Sequence, residues 1–156
     1  MRLGPPLATL AALVLGLSAG AMLTEAVLFV GYWRSLPAEE FLVWFGRYEP
    51  ALVAFFGPLQ TGGLLLSLLA VFAYAFPKRP GFGELAVSAA LSIVVIGLYL
   101  AYFEDVNGAF VKGTFPLAEV PGELERWSRW QWVRTGVGFA AFVLALLALR
   151  HGPRER

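Results

Sequence analysis

The stretch LAVSAALSIVVIGLYLAYF, residues 85–103, carries no charged side chain. Coiled as a helix at about 1.5 Å per residue, it reaches almost across the roughly 30 Å hydrocarbon core of a bilayer. Lipid offers no partner to backbone N–H and C=O groups, so a segment of this kind crosses as a helix that satisfies itself. Upstream, PALVAFFGPLQTGGLLLSLLAVFAYAF, residues 50–76, is equally free of charge. Residues 7–32 hold a single charge, Glu25, and residues 130–149 hold only Arg134, near their start. The expected fold is therefore an all-α membrane protein in one domain. It is a four-transmembrane-helix up-and-down bundle with a short amphipathic helix between helices 1 and 2.

Composition agrees. The 156 residues are 58% hydrophobic and 15% charged, which leaves too little polar surface for a soluble domain of this length. A formal net charge of +1 provides no basic patch for nucleic acid. Cysteine is absent, which excludes disulfides and thiolate chemistry, and the only histidine is His151, in the C-terminal tail. A resident metal is disfavoured, because that histidine lies across the membrane from the acidic residues. No cofactor is expected, and the lipid bilayer is the expected partner.

Pro5 and Pro6 suit the first turn of helix 1, and Pro50 that of helix 2, which Pro77 and Pro80 would end. Gly57-Pro58 is expected to kink helix 2. Residues 33–49, WRSLPAEEFLVWFGRYE, read as an amphipathic helix along the membrane surface, with Phe41, Leu42, Trp44 and Phe45 on its apolar side. Residues 77–84 read as a tight loop and residues 104–129 as the longest connection. The N-terminal region also has features of a signal peptide: a basic Arg2, an apolar stretch and Ala19-Gly20-Ala21. The apolar run continues to Tyr32, however, beyond what a leader requires. Gly16 and Gly20 form a G-x-x-x-G that suits close packing within the bundle or, alternatively, a homo-oligomer.

Arg2, Lys78, Arg79, Arg150, Arg154 and Arg156 hug the helix ends on the side of the termini. Arg34, Arg47, Lys112, Arg126, Arg129 and Arg134 belong to the other side. The numbers tie. Arg134 falls within the membrane zone and the first group occupies very short segments, so the positive-inside rule puts both termini in the cytoplasm, in a bacterial inner membrane. All five tryptophans (Trp33, Trp44, Trp127, Trp130 and Trp132) then lie at the outer side. An interfacial belt explains most of them, but a belt normally dresses both faces, so some are expected to line an outer cavity.

A charge inside a span costs about 2.5–3.5 kcal/mol on insertion scales and usually faces a partner. Glu25 and Arg134 stand near the same end of helices 1 and 4, so a Glu25–Arg134 pair is expected, either as structural glue or as part of a pocket. Trp127, Gln131, Arg134 and Gly138 share a helix face, with Trp130 beside it. Asp105 and Asn107 leave helix 3 at that side, and Trp33 ends helix 1 there. Such a face suits a planar, oxygen-bearing aromatic or quinone-like molecule, or equally a polar network tying the loops down. Gln60, near mid-membrane, reads as a helix–helix hydrogen bond.

The G-x-x-x-G helix, WRSLPAEEF, the asparagine in FEDVNGAF (residues 103–110) and WSRWQWVRTGVGFAAFVLALLAL (residues 127–149) together resemble the anthrone oxygenase-like membrane proteins along nearly the whole chain. The resemblance implies oxidation of a hydrophobic aromatic substrate by molecular oxygen without metal or flavin. Members tend to carry Trp, His and Arg in the last motif. Trp127 or Trp130 and Arg134 match, and Gln131 stands at the histidine position. The implied catalytic set is Arg134, Gln131, Asn107 and Glu25, with Arg134 and Asn107 as donors to an enolate oxygen. Glu25 is the substitute base in the membrane, and Trp127, Trp130, Trp33 and Asp105 are ligand contacts. A non-catalytic ligand binder and a structural or accessory subunit are the alternatives.

Overall fold

The computed structural model describes residues 3–76 and 79–151. Arg2, Pro77, Lys78, Arg154 and Arg156, which entered the expectations above, lie outside the described residues. The secondary structure is helical: α1 (Gly4–Ser35), α2 (Ala38–Ala75), α3 (Phe82–Lys112) and α4 (Val120–Leu149), each long and apolar enough to cross a membrane. Around the bundle α1 packs on α2, α2 on α3, α3 on α4 and α4 on α1, with little contact across the diagonals. This is the expected up-and-down integral membrane bundle.

Its interior is built from small residues. Ala8, Ala11, Ala12 and Ala19 of α1 face Ala70 and Ser67 of α2, Ser88 and Ala89 of α3, and Ala141, Ala145 and Ala148 of α4, all buried. The large apolar side chains point outward, among them Leu13 and Leu17, Leu69 and Phe72, Ile93, and Val143. In water this arrangement would be inside out. In lipid it is favourable, because tails solvate leucine as well as a core does, while small residues let helices approach and gain dispersion contact.

Every helix runs past its expected limit at the tryptophan end, whereas α2 and α4 stop at the other end about where expected. Residues 38–49 do form an amphipathic helix, but it is not a separate element: α2 is continuous for 38 residues, about 57 Å at the usual rise. Pro50 consequently lies inside a helix rather than in its first turn, as does Pro58. Each lacks an N–H, so the carbonyls of Gly46 and Ala54 lose their usual i+4 donors while the chain still passes through as helix. Likewise, the connection expected over 104–129 is largely helical. α3 extends to Lys112, Gly113 ends it in the left-handed conformation, and α4 begins at Val120. The reason is tertiary. The extensions bury Phe41, Phe45, Phe103, Phe110, Val120, Leu124 and Trp127 around Trp33 in an aromatic core at the tryptophan end. The bundle therefore keeps a packed cap beyond the span length.

Two π-turns interrupt the helices at this end. One spans Glu25–Phe29, with the Val30 N–H donating to the Glu25 carbonyl. The other spans Tyr99–Phe103, with the Glu104 N–H donating to the Tyr99 carbonyl. Such single wide turns insert one residue and re-aim the side chains around them, often at functional sites.

The G-x-x-x-G is only half used. A Cβ on Gly16 would lie 2.8 Å from the Phe142 ring of α4, whereas Gly20 has open space beside it. Gly16 thus serves packing within the bundle. At the opposite end Gly81 has φ of 91°, and a Cβ there would lie 2.8 Å from the backbone oxygen of Ala148. Gly81→Ala is expected to destabilise the protein by about 1–3 kcal/mol, read as a lowered melting temperature in detergent. An unchanged melt would show that the α2–α3 turn bears no such constraint.

Candidate functional site

Glu25 opens the first π-turn and is 4% exposed. Its Oε2 accepts from Gln131 Nε2 at 2.8 Å and from Arg134 Nη2 at 3.1 Å. The expected ion pair therefore forms between neighbouring helices α1 and α4, sealed from solvent. Gln131 is fully buried and its Nε2 also donates to the Met22 carbonyl at 3.1 Å, where Thr135 Oγ1 donates as well at 3.4 Å. Both protons of the Gln131 amide are thus committed. The Arg134 guanidinium lies over the Phe103 ring, 4.3 Å from its centroid, a stacking that favours a desolvated cation. Trp127 Nε1 donates to Asn107 Oδ1 at 2.9 Å and so ties α4 to α3.

Beside this network lies a cavity of about 240 Å³. Glu25, Arg134, Asn107, Trp127, Tyr99 and Gln60 supply its polar and aromatic wall, and Glu49 also lines it. Leu52, Phe56 and Ile96 contribute apolar walls, and Val53 and Leu100, both well exposed, form a rim between α2 and α3. The cavity thus opens sideways toward the lipid-facing surface. Ligand sites are commonly about 300–1,000 Å³, so this one suits a compact molecule rather than a lipid.

Several donors and acceptors around it are unspent. Glu25 Oε1 takes no hydrogen bond from a described residue, in contrast to Oε2. Arg134 Nε and Gln60 Nε2 are buried without partners among the described residues. An unmade hydrogen bond at a buried group costs roughly 1–3 kcal/mol, so these atoms are available to an occupant; Trp33 Nε1 and Gln131 Oε1, which do not line the cavity, are likewise buried without partners among the described residues. The arrangement offers one carboxylate oxygen as acceptor and two N–H groups as donors along an apolar, tryptophan-walled space. Among the described residues no three His, Cys, Asp or Glu side chains gather to hold a metal.

The shared face of α4 forms as read, since Trp127, Gln131, Arg134 and Gly138 are all buried. Of the implied catalytic set, Glu25, Arg134 and Asn107 line the cavity. Gln131 does not. It stands behind Glu25 and positions it, which the loss of both amide protons to fixed acceptors requires. Of the implied ligand contacts only Trp127 lines the cavity. Trp33 is buried among Phe41, Phe45, Trp44 and Trp127, because the α2 extension closes over it. Trp130 is half-exposed against Tyr102, and Asp105 is exposed on the outer face of α3. Both side chains project away because α3 continues as helix through Asp105 and α4 through Trp130.

Gln60 makes no hydrogen bond to a described residue, so the helix–helix bond expected of it is not there. Sequence reasoning had its polarity in hand but not its lack of a partner. Tyr99 was missed, because the π-turn that carries it leaves no mark in composition or periodicity.

The model of the anthrone oxygenase family matches residues 51–144, more than half of the chain. That range includes every cavity residue named here except Glu25 and Glu49, which precede it. No curated protein and no solved structure matches the chain.

Proposed function

The chain belongs to the anthrone oxygenase family, and from that premise we propose that it oxidises a hydrophobic aromatic ketone carrying an acidic methylene, with molecular oxygen as the oxidant. The observation that carries the reading is the divided hydrogen bonding of Glu25. One carboxylate oxygen is anchored by Gln131 and Arg134 while the other has no partner among the described residues, on a residue that lines the cavity. A base held by one oxygen and free at the other meets the geometric requirement for proton abstraction.

Glu25 Oε1 takes a proton from the methylene of an anthrone-type substrate. The Arg134 Nε–H and the Asn107 amide supply donors for charge that develops on the ketone oxygen. The resulting carbanion is electron-rich and supplies the electrons to oxygen. Over the whole reaction the methylene carbon loses two hydrogens and gains one oxygen atom as a carbonyl. The second oxygen atom leaves as water with both hydrogens. The apolar wall excludes bulk water, which strengthens each of these contacts.

The closed Glu25–Arg134 pair and the glutamine at position 131 favour a second reading, a binder that holds such a molecule without turning it over. The orientation we propose, with both termini in the cytoplasm of a bacterial inner membrane, places the cavity in the outer half of the bilayer.

Oxygen uptake with anthrone in detergent, against protein-free micelles, tests the reading. Gly57 lines the cavity and has open space where a Cβ would go. Gly57→Leu is expected to fold and to lose at least nine-tenths of the uptake by filling the space. Wild-type uptake no faster than the micelle blank would rule out oxidation of this substrate.

A further inference from the structure

Gln60 is a carboxamide more than nine-tenths buried, on a helix whose other buried residues are Phe41, Phe45, Gly63, Ser67, Ala70 and Tyr74. Its Nε2 is sealed from solvent, and the amide has no hydrogen-bond partner among the described residues. In the hydrocarbon region an amide of this kind normally bonds across a helix interface. This one instead lines the cavity that holds Glu25 and Arg134. It also borders a space of about 20 Å³ beside Ser18 and Ser92, room for a single water and too small for any ligand. The helix places it well away from Glu49, which lines the same cavity eleven residues earlier, roughly 16 Å along the α2 axis.

Resting on the reading of the site given above, we infer that Gln60 is a ligand-recognition residue, donating from its amide to an oxygen atom on the bound molecule separate from the one that Arg134 meets. The two unpartnered N–H groups come from α2 and α4, which barely touch each other. A single ligand oxygen bonded to both would have to sit between helices that stand on a diagonal of the bundle. A molecule with an acceptor at each end of a rigid ring system satisfies both donors at once, and an aromatic hydrocarbon of the same shape satisfies neither. A site built to bond an oxygen rejects the analogue lacking it, because its buried polar groups are then left unpaired. Gln60 thereby favours rings that carry an oxygen within its reach over hydrocarbons of the same outline.

The test uses 9,10-anthraquinone and anthracene, which share one tricyclic outline and differ in the two oxygens. Binding of each is measured by equilibrium dialysis against the detergent-purified full chain, wild type and Gln60→Leu, with thermal melting of both proteins. The expected result is an anthraquinone affinity about tenfold weaker in Gln60→Leu, anthracene affinity changed less than twofold, and a melting temperature equal to wild type or higher. Equal weakening of both probes together with a lower melting temperature makes Gln60 a packing residue and overturns the inference. Unchanged anthraquinone affinity in a variant that still takes up oxygen with anthrone overturns it while leaving the oxidase reading intact. Discrimination lost in Gln60→Leu, in a wild type that binds both probes but takes up no oxygen, supports Gln60 and rejects the oxidase.

Discussion

Replacing Glu25 by glutamine lowers the rate of oxygen uptake with anthrone by about 10²–10⁴, the usual contribution of a positioned general base, while anthraquinone still binds within a few-fold of wild type. The substitution is close to isosteric. The new side-chain oxygen can still accept from Gln131 and Arg134, which occupy Oε2 in the native protein. What it loses is the basic oxygen at the position of Oε1. A fall in kcat with KM nearly preserved is therefore the expected pattern, since the contact matters in the transition state more than in the bound substrate. The neutral residue also leaves the Arg134 cation without its counter-charge, so rates are to be normalised to the folded fraction from size exclusion. Full activity in a folded Glu25→Gln protein would remove Glu25 as the base. With it would go the reading that a carboxylate replaces the histidine expected in the last motif.

The second large effect is on stability. Arg134→Met removes the one cation among the described residues that pairs with Glu25 and strands a carboxylate that is 4% exposed. Breaking a buried pair from one side costs about 3–5 kcal/mol. By soluble-protein scaling, roughly 2–4 °C per kcal/mol at this chain length, the melting temperature falls by about 6–20 °C. Glu25→Leu is expected to cost a similar amount for the mirror reason. The double variant Glu25→Leu/Arg134→Met, with no charge left to desolvate, is expected to melt within a few degrees of wild type, because apolar replacements of whole buried pairs are often neutral or stabilising. A thermal double-mutant cycle in detergent measures this coupling. Simple additivity of the two single losses would mean that the charges do not meet in the folded protein. The double variant is also expected to be inactive, which separates the pair's cost to the fold from its use in the site.

The contrast between these two experiments bears on why Gln131 stands where a histidine was expected. The amide nitrogen carries two protons, and the structure uses both, one on Glu25 Oε2 and one on the Met22 carbonyl. No single imidazole nitrogen carries two protons. Gln131 therefore fixes the carboxylate to the wall of α1 in a way that a histidine could not, and the base role passes to the residue it holds.

Four apolar runs, the side on which each helix ends, and the shared face of Trp127, Gln131, Arg134 and Gly138 were all determined by the sequence, because hydrophobic length and a 3.6-residue period are local properties. The sequence favoured a meeting of Glu25 and Arg134, since a charge in a span must find a partner and an up-and-down order leaves few candidates, but only packing decided that the contact is direct. Helix ends on the tryptophan side were not legible. Continuation of α2 back to Ala38 and of α3 on to Lys112 depends on aromatic contacts among Trp33, Phe41, Phe110 and Trp127, residues far apart in the chain. Nor were the π-turns, whose one-residue insertion alters no composition, or the exclusion of Trp33, Trp130 and Asp105 from the cavity. The missing partner of Gln60 belongs to the same class. A sequence shows that an amide is polar, but only packing on all sides decides whether anything stands within hydrogen-bonding distance of it.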